Sequence, residues 1–115
     1  MTKYYYKWSW VEDFEDKCKQ AGGDFKYLII VNSARCVFKG NRMEVIVNAT
    51  QKGDYVHVFT ERIPKVINEL SFTMKPDEVK SITVEKGKLF SLKNYAVVRE
   101  GDRWEITELA KQGSD

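Results

Sequence analysis

Histidine is almost absent from this chain: His57 is the only one in 115 residues. That scarcity excludes His-rich metal sites and any catalytic constellation that needs two imidazoles. Cysteine is nearly as rare. Cys18 and Cys36 are the whole complement, and no Cys-x-x-Cys occurs, which argues against a structural zinc. A small secreted domain usually carries a denser cysteine framework. The two are therefore expected as buried thiols, one on a helix and one on a strand, in preference to the alternative of a disulfide between them, in a cytoplasmic protein. Glycines stand singly or as Gly22-Gly23, which follows a helical pattern rather than opening one, so there is no phosphate-cradling loop. Long apolar runs are missing as well. The longest, "YLIIV" (Tyr27 to Val31), falls far short of a membrane span. The opening "MTKYYYKWSW" lacks the apolar stretch of a secretory signal. No cofactor, metal or membrane partner is expected.

What is present is a globular composition. Hydrophobic residues make up 43% and charged residues 31%, in a length that suits one domain, residues 1–115. Aromatic residues reach 13%, more than a small core needs, which leaves some for a surface. The net charge of +2 is too mild to imply nucleic acid by itself. Its distribution is uneven. Lys17, Lys19, Lys26, Arg35, Lys39, Arg42 and Lys52 face only Asp24 and Glu44 between positions 17 and 53. Beyond Glu100 the acids prevail.

Ser9 opens "SWVE", a capping-box pattern. Trp10, Val11, Phe14, Cys18 and Ala21 follow at helical spacing up to Gly22-Gly23, predicting a helix over about 10–21. "FKYLIIV" then reads as a strand covered on both faces. Four glycine turns, "KGNR", "QKGD", "EKGK" and "REGD", punctuate alternating segments, the mark of hairpins. Pro64 and the spacing of Val66, Ile67 and Leu70 predict one short helix near residues 64–70, and "KPDE" (Lys75 to Glu78) a turn. The expected fold is α+β. An N-terminal helix packs on a strongly curved, mostly antiparallel sheet or small barrel of about six to eight strands built from hairpins. The segment "VVREGDRWEIT" (Val97 to Thr107) resembles the closing hairpin of cystatin-like and nuclear-transport-factor-like sheets. That resemblance implies a hairpin and carries no functional residue across.

Two-residue turns at Gly40-Asn41 and Lys52-Gly53 set a trial register. They place Cys36 opposite Val45 and Ala49 opposite Val56, with Met43, Val45, Val47, Ala49, Val56 and Val58 on one face. The second face carries Arg35, Lys39, Arg42, Tyr55, His57 and Phe59. Either it binds something, or the C-terminal hairpins cover it. With Tyr5 and Trp8, these are the candidate binding residues. No catalytic set reaches motif strength, so a non-enzyme is expected. The leading reading is a small binding protein that acts through a protein–protein interface, of inhibitor or adaptor type. The alternative is a single-stranded nucleic-acid-binding domain that uses the basic and aromatic face.

Overall fold

The computed structural model describes residues 8–63, 70–85, 88–92, 95–100 and 103–108. The helix α1 spans Trp10–Gln20. The strands are β1 (Asp24–Leu28), β2 (Ser33–Lys39), β3 (Glu44–Lys52), β4 (Tyr55–Ile63), β5 (Ser71–Met74), β6 (Thr83–Glu85), β7 (Lys88–Leu92), β8 (Tyr95–Glu100) and β9 (Arg103–Glu108). Two short 3-10 segments, Ile29–Val31 and Pro76–Ser81, complete the set. The "KPDE" turn opens the second of these, with Lys75 N–H donating to Glu78 Oε1 at 2.6 Å. The helix expected near residues 64–70 lies almost entirely outside the described residues. Leu70, its last position, is buried, and its carbonyl accepts from Thr60 N–H at 3.0 Å.

β1 to β5 form an antiparallel meander in sequence order, and β6 to β9 form a second one. The first sheet ends at β1 and β5 and is open. The small barrel considered from the sequence is not what forms, and the nine strands among the described residues exceed the expected six to eight.

α1 begins without the expected cap. The Ser9 side chain makes no capping bond, and the first turn is closed by backbone bonds from Val11 to Trp8 and from Glu12 to Ser9. Its C-terminus is a Schellman motif. Gly22 takes φ +84°, Gly22 N–H donates to Lys19 O at 3.0 Å, and Gly23 N–H to Cys18 O at 2.9 Å. Gly23 has a separate reason to be glycine. A methyl group there would meet the Phe38 ring at 2.8 Å and the Cys18 sulfur at 3.0 Å.

That sulfur is not a free thiol. Cys18 on α1 and Cys36 on β2 form a disulfide, with Cα atoms 5.6 Å apart, and both residues are fully buried. This overturns the expectation of two thiols. Helical spacing puts Cys18 on the face that packs on the sheet, and strand alternation puts Cys36 on the face that receives it. The two buried positions meet.

Both hairpin registers differ from the trial register by two residues. Lys39 pairs with Glu44 and Cys36 with Val47. The wider loop, closed by Gly40 N–H to Met43 O at 2.8 Å, replaces a Lys39–Arg42 repulsion with an opposite-charge pair. In the next hairpin Lys52 pairs with Tyr55, so the turn is Gly53-Asp54. Gly53 sits at φ +58° in the first central position, where a type II′ turn wants glycine. A shift of two preserves every face. Val45, Val47, Ala49, Val56 and Val58 are therefore all buried in the core cluster that includes the apolar stripe of α1, as expected. Gln51 ends that row and accepts from Trp10 Nε1 at 2.7 Å. In the second sheet, Glu85 pairs with Lys88 and Val97 with Ile106, as the sequence suggests.

The core is continuous. Trp10, Val11, Phe14 and Cys18 of α1 join the inner face of the first sheet with Val79, Ile82 and Val97, and Val84 and Ile106 pack at its edge. Val47→Ala is expected to cost roughly 1–3 kcal/mol through lost burial and a residual cavity. Urea titration of the variant against wild type measures it, and a cost within error would contradict this inner face.

Candidate binding surface

β4 is the spine of the outer face. Val56, Val58 and Thr60 point inward and are buried, so alternation sends Tyr55, His57, Phe59 and Glu61 outward. The His57 and Phe59 rings lie 5.4 Å apart at 32°. Pairing sets Lys52 beside Tyr55, Thr50 beside His57 and Asn48 beside Phe59. Further across, Arg35 faces Asn48, and Lys26 faces Arg35. Val37 and Ile46 lie side by side at the centre and are buried.

Cover by the C-terminal hairpins was one of the two alternatives for this face. Of the described apolar residues of the second sheet, Val97 joins the core cluster and Val84 and Ile106 pack against it, while Ala96, on the opposite face of β8, is buried outside that cluster. Four predicted site residues, Arg35, Tyr55, His57 and Phe59, do share the outer face. Lys39 shares the face but closes the far end of β2, and Arg42 is exposed in the loop beyond it. The length of β2 separates both from Tyr55 by roughly 20 Å at about 3.3 Å per residue. Trp8 is half-buried against the core that holds α1 and is no part of this face. Tyr5 lies outside the described residues.

The most exposed apolar segment departs from the strand expected there. "FKYLIIV" is not a doubly covered strand. β1 ends at Leu28, and Ile29, Ile30 and Val31 turn out of the sheet as a 3-10 segment. Asn32 ends the turn at φ 50°, a left-handed conformation that asparagine tolerates. Its Oδ1 accepts from the Tyr27 hydroxyl at 3.1 Å, and its N–H donates to Ile29 O at 3.2 Å. The turn presents Leu28 at 37% exposure, Ile29 at 76%, Ile30 at 96% and Val31 at 57%, with Tyr55 at 50%. These five are all the large hydrophobic residues that stand exposed among the described ones.

They gather at one end of the sheet. β2 begins and β3 ends at that end, because Ser33 pairs with Thr50. The apolar tip and the Gly53-Asp54 turn are thus neighbouring hairpin ends, on strands spaced about 5 Å apart. Met74 pairs with Val56, which brings Lys75 to the same end. The apolar tip thus stands at the β1-β2 edge of this end, the charged pair Lys52 and Asp54 lies at the next hairpin end, and Lys75 follows β5 at the opposite edge.

Among the described residues no three metal-ligating side chains cluster, and no helix is long and apolar enough to cross a membrane. The chain matches no protein-family model, and neither a curated protein nor a solved structure matches it.

Proposed function

We propose that this is a non-catalytic binding protein of inhibitor or adaptor type, which seats its apolar tip in a pocket of a protein partner. The carrying observation is the exposure of four consecutive aliphatic side chains, Leu28 to Val31, on a hairpin end closed by hydrogen bonds of Asn32. Exposed apolar surface of this kind marks an interaction site. Burying each such side chain fully is worth roughly 1.5–3 kcal/mol, set against the ordering cost of association. Tyr55 adds a residue type favoured at interface centres.

The charges at the neighbouring hairpin end argue for a protein. Lys52 and Asp54 bring both signs there, whereas an anionic lipid surface or a nucleic acid calls for one sign. The second reading, single-stranded nucleic-acid binding, draws on Arg35, Tyr55, His57 and Phe59 sharing the outer face. Glu44 and Glu61 stand on that face too, and His57 and Phe59 already stack on each other. The buried disulfide supports an oxidising compartment over the cytoplasm expected from cysteine scarcity.

Affinity capture tests the reading. Wild type and Ile30→Asp are immobilised and exposed to an extract of the source cells, with and without nuclease. A protein retained by wild type, insensitive to nuclease and lost with Ile30→Asp is the expected outcome. Retention that depends on nucleic acid, or that survives Ile30→Asp, contradicts it.

A further inference from the structure

We propose that Lys26, Arg35 and Asn48 form a subsite for an oxyanion, the carboxylate or phosphate group of a ligand, on the outer face of the first sheet. The three lie in one cross-strand row, Lys26 opposite Arg35 and Arg35 opposite Asn48. Side chains so placed stand about 5 Å apart at Cβ. Asn48 is 2% exposed, and its Nδ2 has no hydrogen-bond partner. The Nε of Arg35 is enclosed and equally unpartnered. A buried donor without an acceptor is uncommon in a folded protein, and here two of them face each other in register.

Charge points the same way. Directly opposed cations repel, yet Lys26 and Arg35 are paired across the ladder. Among the described residues neither Lys26 nor Arg35 forms an ion pair of the kind that joins Glu15 to Lys19 on α1. The nearest acids by register are Asp24, opposite Val37, and Glu61, opposite Ile46, each one row away. Three donor side chains, two of them cationic, share one cross-strand row that holds no carboxylate. An oxyanion satisfies both the donors and the charge, and charge-assisted bonds of this type are the strong ones. Arg35 is half-buried and Lys26 exposed, so they form the entrance, with Asn48 at the floor. Phe59, opposite Asn48, supplies an apolar wall for the rest of the ligand. These residues are distinct from the tip, and the subsite stands or falls independently of the tip's role.

The test is a titration of 15N-labelled protein with inorganic phosphate and, separately, with acetate. The Asn48 side-chain amide and the Arg35 Nε–H resonances are followed. Saturable movement of both signals in the millimolar range is expected with at least one anion, and which anion acts tells a phosphate-bearing ligand from a carboxylate. Arg35→Gln should weaken the response at least about tenfold, and Lys26→Gln, at an exposed position, should weaken it less. Absence of movement with both anions, or movement unchanged in Arg35→Gln and Lys26→Gln, overturns the subsite.

Discussion

Reduction of the Cys18–Cys36 disulfide is expected to lower stability by about 3 kcal/mol, the loop-entropy value for a closed segment of this length. The bond links α1 to β2 across a separation of 18 residues. It is the covalent tie between the helix and the sheet that the helix covers. A domain of this size has roughly 5–15 kcal/mol in all, so the loss is a large fraction. The melting temperature should fall by roughly 10–20 °C. Thermal melts with and without reductant, and of a Cys18→Ala/Cys36→Ala variant, measure it. Native protein should not react with an alkylating reagent, while protein reduced in denaturant should label at both cysteines. Coincident melts, or labelling of untreated protein, would contradict the disulfide.

Phe14→Ala should cost roughly 3–5 kcal/mol, the range for emptying a buried aromatic site. Phe14 is fully buried one helical turn before Cys18. Its ring meets Trp10 edge-on at 6.4 Å and Phe25 of β1 at 6.3 Å, and aromatic pairs of this kind add about 0.5–1.5 kcal/mol to simple burial. Phe14 thus holds α1 to the edge strand that leads into the tip. The loss should exceed that of Val47→Ala, because the cavity is larger. Denaturant titration of the two variants side by side decides this, and an equal or smaller cost for Phe14→Ala would place the centre of the core elsewhere. Combining Phe14→Ala with the cysteine variant should depart from additivity, since both loosen the same helix.

Much of this architecture is legible in the chain. Helical spacing from Trp10 to Cys18 and alternation from Val45 to Val58 identify the two surfaces that pack, and opposite charges at Glu85 and Lys88 identify a turn. The registers were misplaced by two because turn position follows backbone φ at Gly53 and the pairing of Lys39 with Glu44, neither visible in glycine spacing alone. The disulfide escaped because two apolar-face cysteines look the same whether they meet or not. The tip escaped for a related reason. "YLIIV" has the composition of a buried strand, and an apolar segment kept exposed for binding has that composition too. The order of the chain holds one clue: Asn32 follows the run and accepts the left-handed turn that sends Ile29 to Val31 outward.

Ile30 offers the most direct measurement. At 96% exposure it contributes nothing to the core, so Ile30→Asp should leave unfolding free energy unchanged within about 0.5 kcal/mol. Against the captured partner the same variant should lose at least about 100-fold in affinity, because it removes a central apolar contact and would bury an unpaired charge. Calorimetric titration at two salt concentrations reads both the affinity and its salt dependence. The tip reading predicts that loss, a shallow salt slope and no competition by single-stranded oligonucleotide. Wild-type affinity in Ile30→Asp, or steeply salt-dependent binding that an oligonucleotide displaces, would contradict it.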